Sequence, residues 1–151
     1  MTPPPSTSDL VGRAGDPTLD AIARLAAFIA GGSGAGVHIL DEKVQYRIGA
    51  LNAPLDEHPR EDSLCRMVVD SDERIAASDA SQEERFDYSS FTQGDPPPLR
   101  MYVGTPLRMS DGEVVGTLCS WDANAVQFSD EQLAAFDDLA AIAAALLESP
   151  R

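Results

Sequence analysis

The sequence has one lysine, two histidines and two cysteines, and aromatic residues fill only 6% of its 151 positions. Two cysteines do not make a disulfide framework in a chain of this length, so a reducing compartment, the cytoplasm, is expected. Ten arginines and the lysine stand against 25 acidic residues, for a net charge of −14. No basic residue occurs between positions 109 and 150. Such a surface repels phosphate backbones and anionic lipids, which argues against nucleic-acid and membrane partners. No apolar run approaches the roughly 20 residues of a membrane-spanning helix. The opening Met-Thr-Pro-Pro-Pro lacks the basic and apolar regions of a secretory signal. Glycine-rich phosphate loops, nucleophile elbows and paired-carboxylate motifs are also missing, so the chain is not expected to be an enzyme.

What is present is a hydrophobic fraction of 43% spread along most of the chain, enough for one ordinary domain to bury a core without metal or disulfide support. Residues 1–15, rich in Pro, Ser, Thr and Gly, read as a disordered lead-in, and residues 16–149 as the domain. Asp16-Pro17 is an N-cap followed by proline at the first helical position, and Gly31-Gly32 ends that helix. A strand at Val37–Leu40 and an alternating strand from Val44 to Ile48 make a first hairpin. Leu64, Met67 and Val68 have helical spacing behind Asp62 or Ser63 as cap. Arg74 to Ala77 is a weak strand, and the Ser81–Glu84 capping box predicts a short helix. The proline-rich residues 92–98 read as a loop.

A second hairpin carries the strongest strand signal: Met101 to Met109, a turn at Ser110-Asp111-Gly112, and a return strand from Val114 to Trp121. Pro106 predicts an edge or a bulge. The last helix opens on a capping box, Ser129 with Gln132, and a Phe128–Leu133 staple. Its apolar residues form two stripes. Packing on a sheet requires only one, so the second stripe calls for a second partner, either the first helix or another subunit; Leu139, Ile142 and Leu146 of that stripe, with Leu25 and Phe28 of the first helix, are assigned to a dimer face. Hairpins bracketed by terminal helices define an α+β fold.

The stretch Tyr102-Val-Gly-Thr-Pro-Leu-Arg108, Asp111-Gly112, Val115-Gly-Thr-Leu-Cys-Ser-Trp-Asp122 and Phe128-Ser-Asp-Glu-Gln132, followed by a helix containing Leu139-Ala140, resembles the second half of a GAF domain. Upstream, Ser63-Leu64-Cys65 and Asp79-Ala80-Ser81 with Arg85-Phe86 resemble the signature of one bacterial branch of that family. The resemblance implies a central antiparallel sheet, of about six strands, with the N- and C-terminal helices packed on one face and a small-molecule pocket formed by short helices and loops on the other. It also implies a regulatory module that binds a small molecule, dimerises, or does both, to control a kinase, phosphatase or cyclic-di-nucleotide enzyme in cis or in trans. A purely dimerising, non-sensing module is the alternative, and a cysteine-based redox switch or a free-methionine-sulfoxide reductase a more distant one.

The candidate ligand-binding residues are Arg47, Cys65, Asp79, Phe86, Tyr88, Arg100, Tyr102, Thr117 and Cys119. The arginines suit an anionic ligand bidentately and the aromatics suit a flat one. Each also has an ordinary role: Asp79 as a turn cap, the aromatics and cysteines as core, the arginines as surface counter-charges. The ligand's identity is open, a nucleotide or another small metabolite being the class implied. Haem and bilin are not expected, because the attachment motifs of related photosensors are missing; His38 faces either the pocket or water, and His58 sits in a solvated loop. No His/Cys spacing supplies a metal site.

Overall fold

Capping residues set both long helices of the computed structural model, which describes residues 3–93 and 98–150. Helix α2 (Pro17–Ala30) starts at Asp16, whose side chain accepts from the Thr18 backbone, and stops at Gly31 in the left-handed conformation. Helix α5 (Asp130–Glu148) starts at the reciprocal Ser129/Gln132 box. Between them run strands β1 (Gly34–Leu40), β2 (Val44–Leu51) and β3 (Glu57–Pro59), helix α3 (Cys65–Ser71), strand β4 (Ile75–Ala77), the short helix α4 (Ser90–Gln93), and strands β5 (Met101–Arg108) and β6 (Val114–Asp122). The six strands form one antiparallel sheet in the order β3-β2-β1-β6-β5-β4. The α+β architecture is the expected one.

Side-chain alternation divides the core. Val37 and Ile39 of β1, Met101 and Val103 of β5, and Leu118 of β6 pack with α2 and α5. Tyr102 and Cys119 point to the other face, into a second cluster with Leu64, Cys65, Val68 and Phe86. The strands at the sheet centre approach closely at Gly116, where a Cβ would stand 1.8 Å from the carbonyl oxygen of His38. Only glycine fits there. Pro106 pairs with Thr117 of β6, beyond the last β4 pairing at Gly104, where β5 has no described neighbour on its other side. A register shift follows between Leu107 and Arg108.

Four expectations are corrected. Residues 1–15 are not all lead-in. Helix α1 (Thr7–Val11) opens on a capping box between Ser6 and Asp9, Leu10 is 1% exposed, and the Arg13 guanidinium donates to the carbonyl of Ser149. One buried leucine behind a good cap suffices to dock a turn of helix. The expected helix at Ser81 is two 3₁₀ turns, Ala80–Gln82 and Glu84–Phe86. The loop expected around His58 contains β3, paired to β2. Helix α3 has no side-chain cap; Ser63 is instead fully buried, its hydroxyl donating to Gln45 Oε1.

The dimer-face assignment is corrected in part. Leu139 is only 7% exposed and belongs to the core shared with α2, and Leu146 is half-buried against the same core. Helix α5 thus packs Leu139 and part of Leu146 of its second stripe within its own chain. Leu25, Phe28 and Ile142 do face solvent, at 51%, 86% and 61% exposure. The proline-rich loop falls largely outside the described residues at positions 94–97.

Candidate functional site

On the sheet face opposite α2 and α5, side chains from β1, β2, β5, β6 and the start of α3 converge on a cavity of about 320 Å³. His38 occupies its floor and is 2% exposed. Its Nε2 accepts from Arg47 Nε at 3.0 Å. An N–H donor at Nε2 places the ring proton on Nδ1. That nitrogen lies 3.1 Å from Cys119 Sγ and 3.5 Å from Cys65 Sγ. The Tyr102 hydroxyl donates to Cys65 Sγ at 3.1 Å. Thr117 pairs with His38 across the strands, and its buried hydroxyl has no hydrogen-bond partner.

Arg47 is the electrostatic anchor of the cavity wall. Besides His38 it bonds the Pro54 carbonyl and the Asp56 carboxylate, each at 3.2 Å, and its guanidinium lies 5.2 Å from the centroid of the Trp121 ring. Trp121 in turn stacks on the His38 ring, with centroids 6.4 Å apart. His58 stands 3.3 Å from Asp56 and meets the Phe91 ring edge-on.

The two thiols have opposed acidities. Burial pushes the Cys65 thiol up, but the hydrogen bond with Cys119 and the neighbouring His38 outweigh it and hold Cys65 well below an ordinary thiol. Burial, and then Cys65 itself, push Cys119 well above. Burial and the same sulfur push the Tyr102 phenol well above its usual value. The pair gives up one proton readily and holds the second.

Of the candidate ligand residues, Arg47, Cys65, Tyr102 and Cys119 line this cavity, with Thr117 buried beside them. The other four do not line it. Asp79 caps a turn, accepting from the Ser81 backbone; Phe86 is core; Tyr88 donates to the Ser63 carbonyl and carries Arg66 on its ring face; Arg100 is exposed beyond the start of β5. Sequence reasoning missed Trp121, which its alternation with Cys119 on β6 would have identified, and missed the wall formed by residues 52–58, for which no pattern exists. His38 faces inward, but both ring nitrogens are already engaged, so neither is free for a haem iron.

The expectation of no metal-ligand cluster is corrected on geometry: the donor atoms of His38, Cys65 and Cys119 lie within 4.8 Å of one another. Spacing along the chain could not reveal this, since the three come from three separate elements. A metal-bound histidine ordinarily donates its second N–H to a carboxylate or carbonyl. Here a guanidinium donates to that nitrogen instead, which suits a protonated Nδ1 and not a metallated one.

The GAF domain model matches residues 16–148, and the chain belongs to that family. A cyclic di-GMP phosphodiesterase of Pseudomonas aeruginosa is 30% identical over 86 residues, which are 57% of this chain and 14% of that protein. The chain thus spans far less than two thirds of that relative. Among solved structures, the type II free methionine-R-sulfoxide reductase of Thermoplasma acidophilum superposes with a TM-score of 0.72 at 18% identity, covering 91% of this chain and 94% of that one. The GAF domain of an Acinetobacter phosphoenolpyruvate-protein phosphotransferase gives 0.71 at 18%, covering 93% and 89%. At these identities the likeness is one of fold. Among the described residues, no helix is long and apolar enough to cross a membrane.

Proposed function

We propose that this domain is a regulatory module without turnover of its own, which binds a small anionic or flat metabolite in the cavity. Its occupancy controls an output domain in the same chain or in a partner. The observation that carries the reading is the pairing of Arg47 with Trp121 at the cavity wall. With its Nε and Nη1 committed to His38, Pro54 and Asp56, the guanidinium keeps Nη2 as a charged donor beside an aromatic surface. The cavity of about 320 Å³ sits at the lower end of the range typical of small-ligand sites. Membership of the GAF family and the cyclic di-GMP phosphodiesterase relative support a role in signalling, with a cyclic-di-nucleotide enzyme, kinase or phosphatase as the output.

Thermal unfolding in the presence of nucleotides and small carboxylates tests this. A ligand of the folded state raises the melting temperature in proportion to the logarithm of its concentration, and Arg47→Gln abolishes the rise. A flat response across both classes, with no extra mass in the native mass spectrum, would remove the reading.

A second reading, compatible with the first, is that the domain self-associates through α2 and α5. It rests on Phe28, 86% exposed, with Leu25 and Ile142 also facing solvent. Light scattering at increasing concentration distinguishes a homodimer from a monomer, and Leu25→Asp should dissociate it.

A further inference from the structure

The His38–Cys65–Cys119 cluster is more than packing. Three elements far apart in sequence bring two sulfurs and one ring N–H together at the floor of a cavity. Arg47 fixes which nitrogen carries the proton, and Tyr102 aims its hydroxyl at Cys65 alone. Cys65 Sγ therefore has two donors facing it, whereas a cysteine that served only as a small hydrophobe would have none. Hydrogen bonds to sulfur favour its thiolate form, which is the nucleophile. A second sulfur within 4.8 Å is in range to resolve an oxidised first one after modest side-chain rotation.

We infer that Cys65 and Cys119 form a hydroperoxide-reactive dithiol that closes to an intramolecular disulfide. In the first step the Cys65 sulfur attacks the outer oxygen of R–O–OH. The S–O bond forms, the O–O bond breaks, and the thiol proton leaves with the departing oxygen as R–OH, so the sulfur becomes a sulfenic acid. In the second step Cys119 Sγ attacks Cys65 Sγ. The S–S bond forms, the S–O bond breaks, and the hydroxyl leaves as water with the Cys119 proton. Two electrons pass from the two thiols to one hydroperoxide, and an external dithiol reductant returns them. The event occurs once per chain and is a switch, not a turnover. It ties the start of α3 to β6 and removes the sulfurs from the His38 N–H, in the wall and floor of the same cavity. It requires no ligand and stands or falls separately from the ligand reading.

The test is intact-mass spectrometry of the reduced full chain after treatment with hydrogen peroxide, with thiols counted under denaturing conditions. The expected product is a monomeric species lighter by the two thiol hydrogens, with both thiols lost and both restored by dithiothreitol. Cys119→Ser should stall at the sulfenic acid and be labelled by dimedone, while Cys65→Ser should remain unlabelled. Circular dichroism checks that each variant is folded, and the wild-type mass alone decides the matter if either is not. Thiols that survive peroxide, stepwise over-oxidation without the two-hydrogen loss, or a disulfide found only between chains would each overturn the proposal. So would protection of both thiols by equimolar Zn²⁺ in place of closure.

Discussion

The two faces of the sheet are built on different terms. The face under α2 and α5 is packed with alanine, leucine and valine, with Phe136 at 1% exposure among them. Alanine-rich helix surfaces let helix and sheet approach closely, and the result is a solid layer. The opposite face is covered only by short elements, and its centre holds His38, Arg47, Cys65, Tyr102 and Cys119 around a cavity. One face supplies cohesion. The other has exchanged part of that cohesion for buried polar groups, which, the Thr117 hydroxyl apart, are satisfied by particular neighbours.

That contrast can be broken by substitution, starting where the effect is largest. Leu139→Asp places a charge in the layer between α5 and α2, and should cost more than the roughly 3 kcal/mol that bounds most single substitutions, leaving little folded protein by circular dichroism. Phe136→Ala should lower the unfolding free energy by about 3–5 kcal/mol in urea titration, whereas the half-buried Trp121→Ala should cost clearly less. If the two cost the same, the faces do not differ as described.

Arg47→Met comes next. It strips partners from His38, Asp56 and the Pro54 carbonyl, and a loss of about 1–3 kcal/mol is expected. Tyr102→Phe removes the hydroxyl from Cys65 and should cost about 1 kcal/mol. Its sharper signature is in pH. The lowered pKa of Cys65 in the folded state keeps its thiolate populated below the ordinary thiol value of about 8.5. Removing a donor from that thiolate moves the midpoint of the alkylation rate to higher pH. A midpoint that moves down instead would refute the role given to the phenol. The smallest effect belongs to Leu25→Asp on the outer surface of α2, where stability should change by no more than about 0.5 kcal/mol, as measured in dilute solution. A dimer at higher concentration would add a concentration-dependent term that this substitution removes.

The legibility of the sequence follows the same division. Helices α2 and α5 were readable because caps and apolar periodicity are local, and the β5–β6 hairpin because alternation and an Asp-Gly turn are local. Helix α1 was missed because prolines and serines masked one buried leucine, and β3 because three residues carry no period. The outward assignment of Leu139 failed for another reason. Two stripes on a helix call for a second partner, either the first helix or another subunit, and for Leu139 it is the core shared with α2 of the same chain. In the site, Arg47, Cys65, Tyr102 and Cys119 were found from residue type and family pattern. Their meeting with His38 was not, because it depends on β1 lying beside β6, and nothing along the chain states which strands are neighbours.

That adjacency has a mechanical side. Strands β1 and β6 lie together at the middle of the sheet, and each is rooted to a long helix. Helix α2 runs into β1 through residues 31–33, and β6 leads to α5 through residues 123–129. Gly116, which pairs with Ile39, lies at the end of this strand pair away from both helices. His38, Cys119 and Trp121 lie between it and the helix roots, Trp121 being paired with Gly34, the first residue of β1. Whatever displaces those side chains, a bound molecule or a new covalent tie, acts on the stretch of strand that runs directly into both helices, and only three residues separate that stretch from α2.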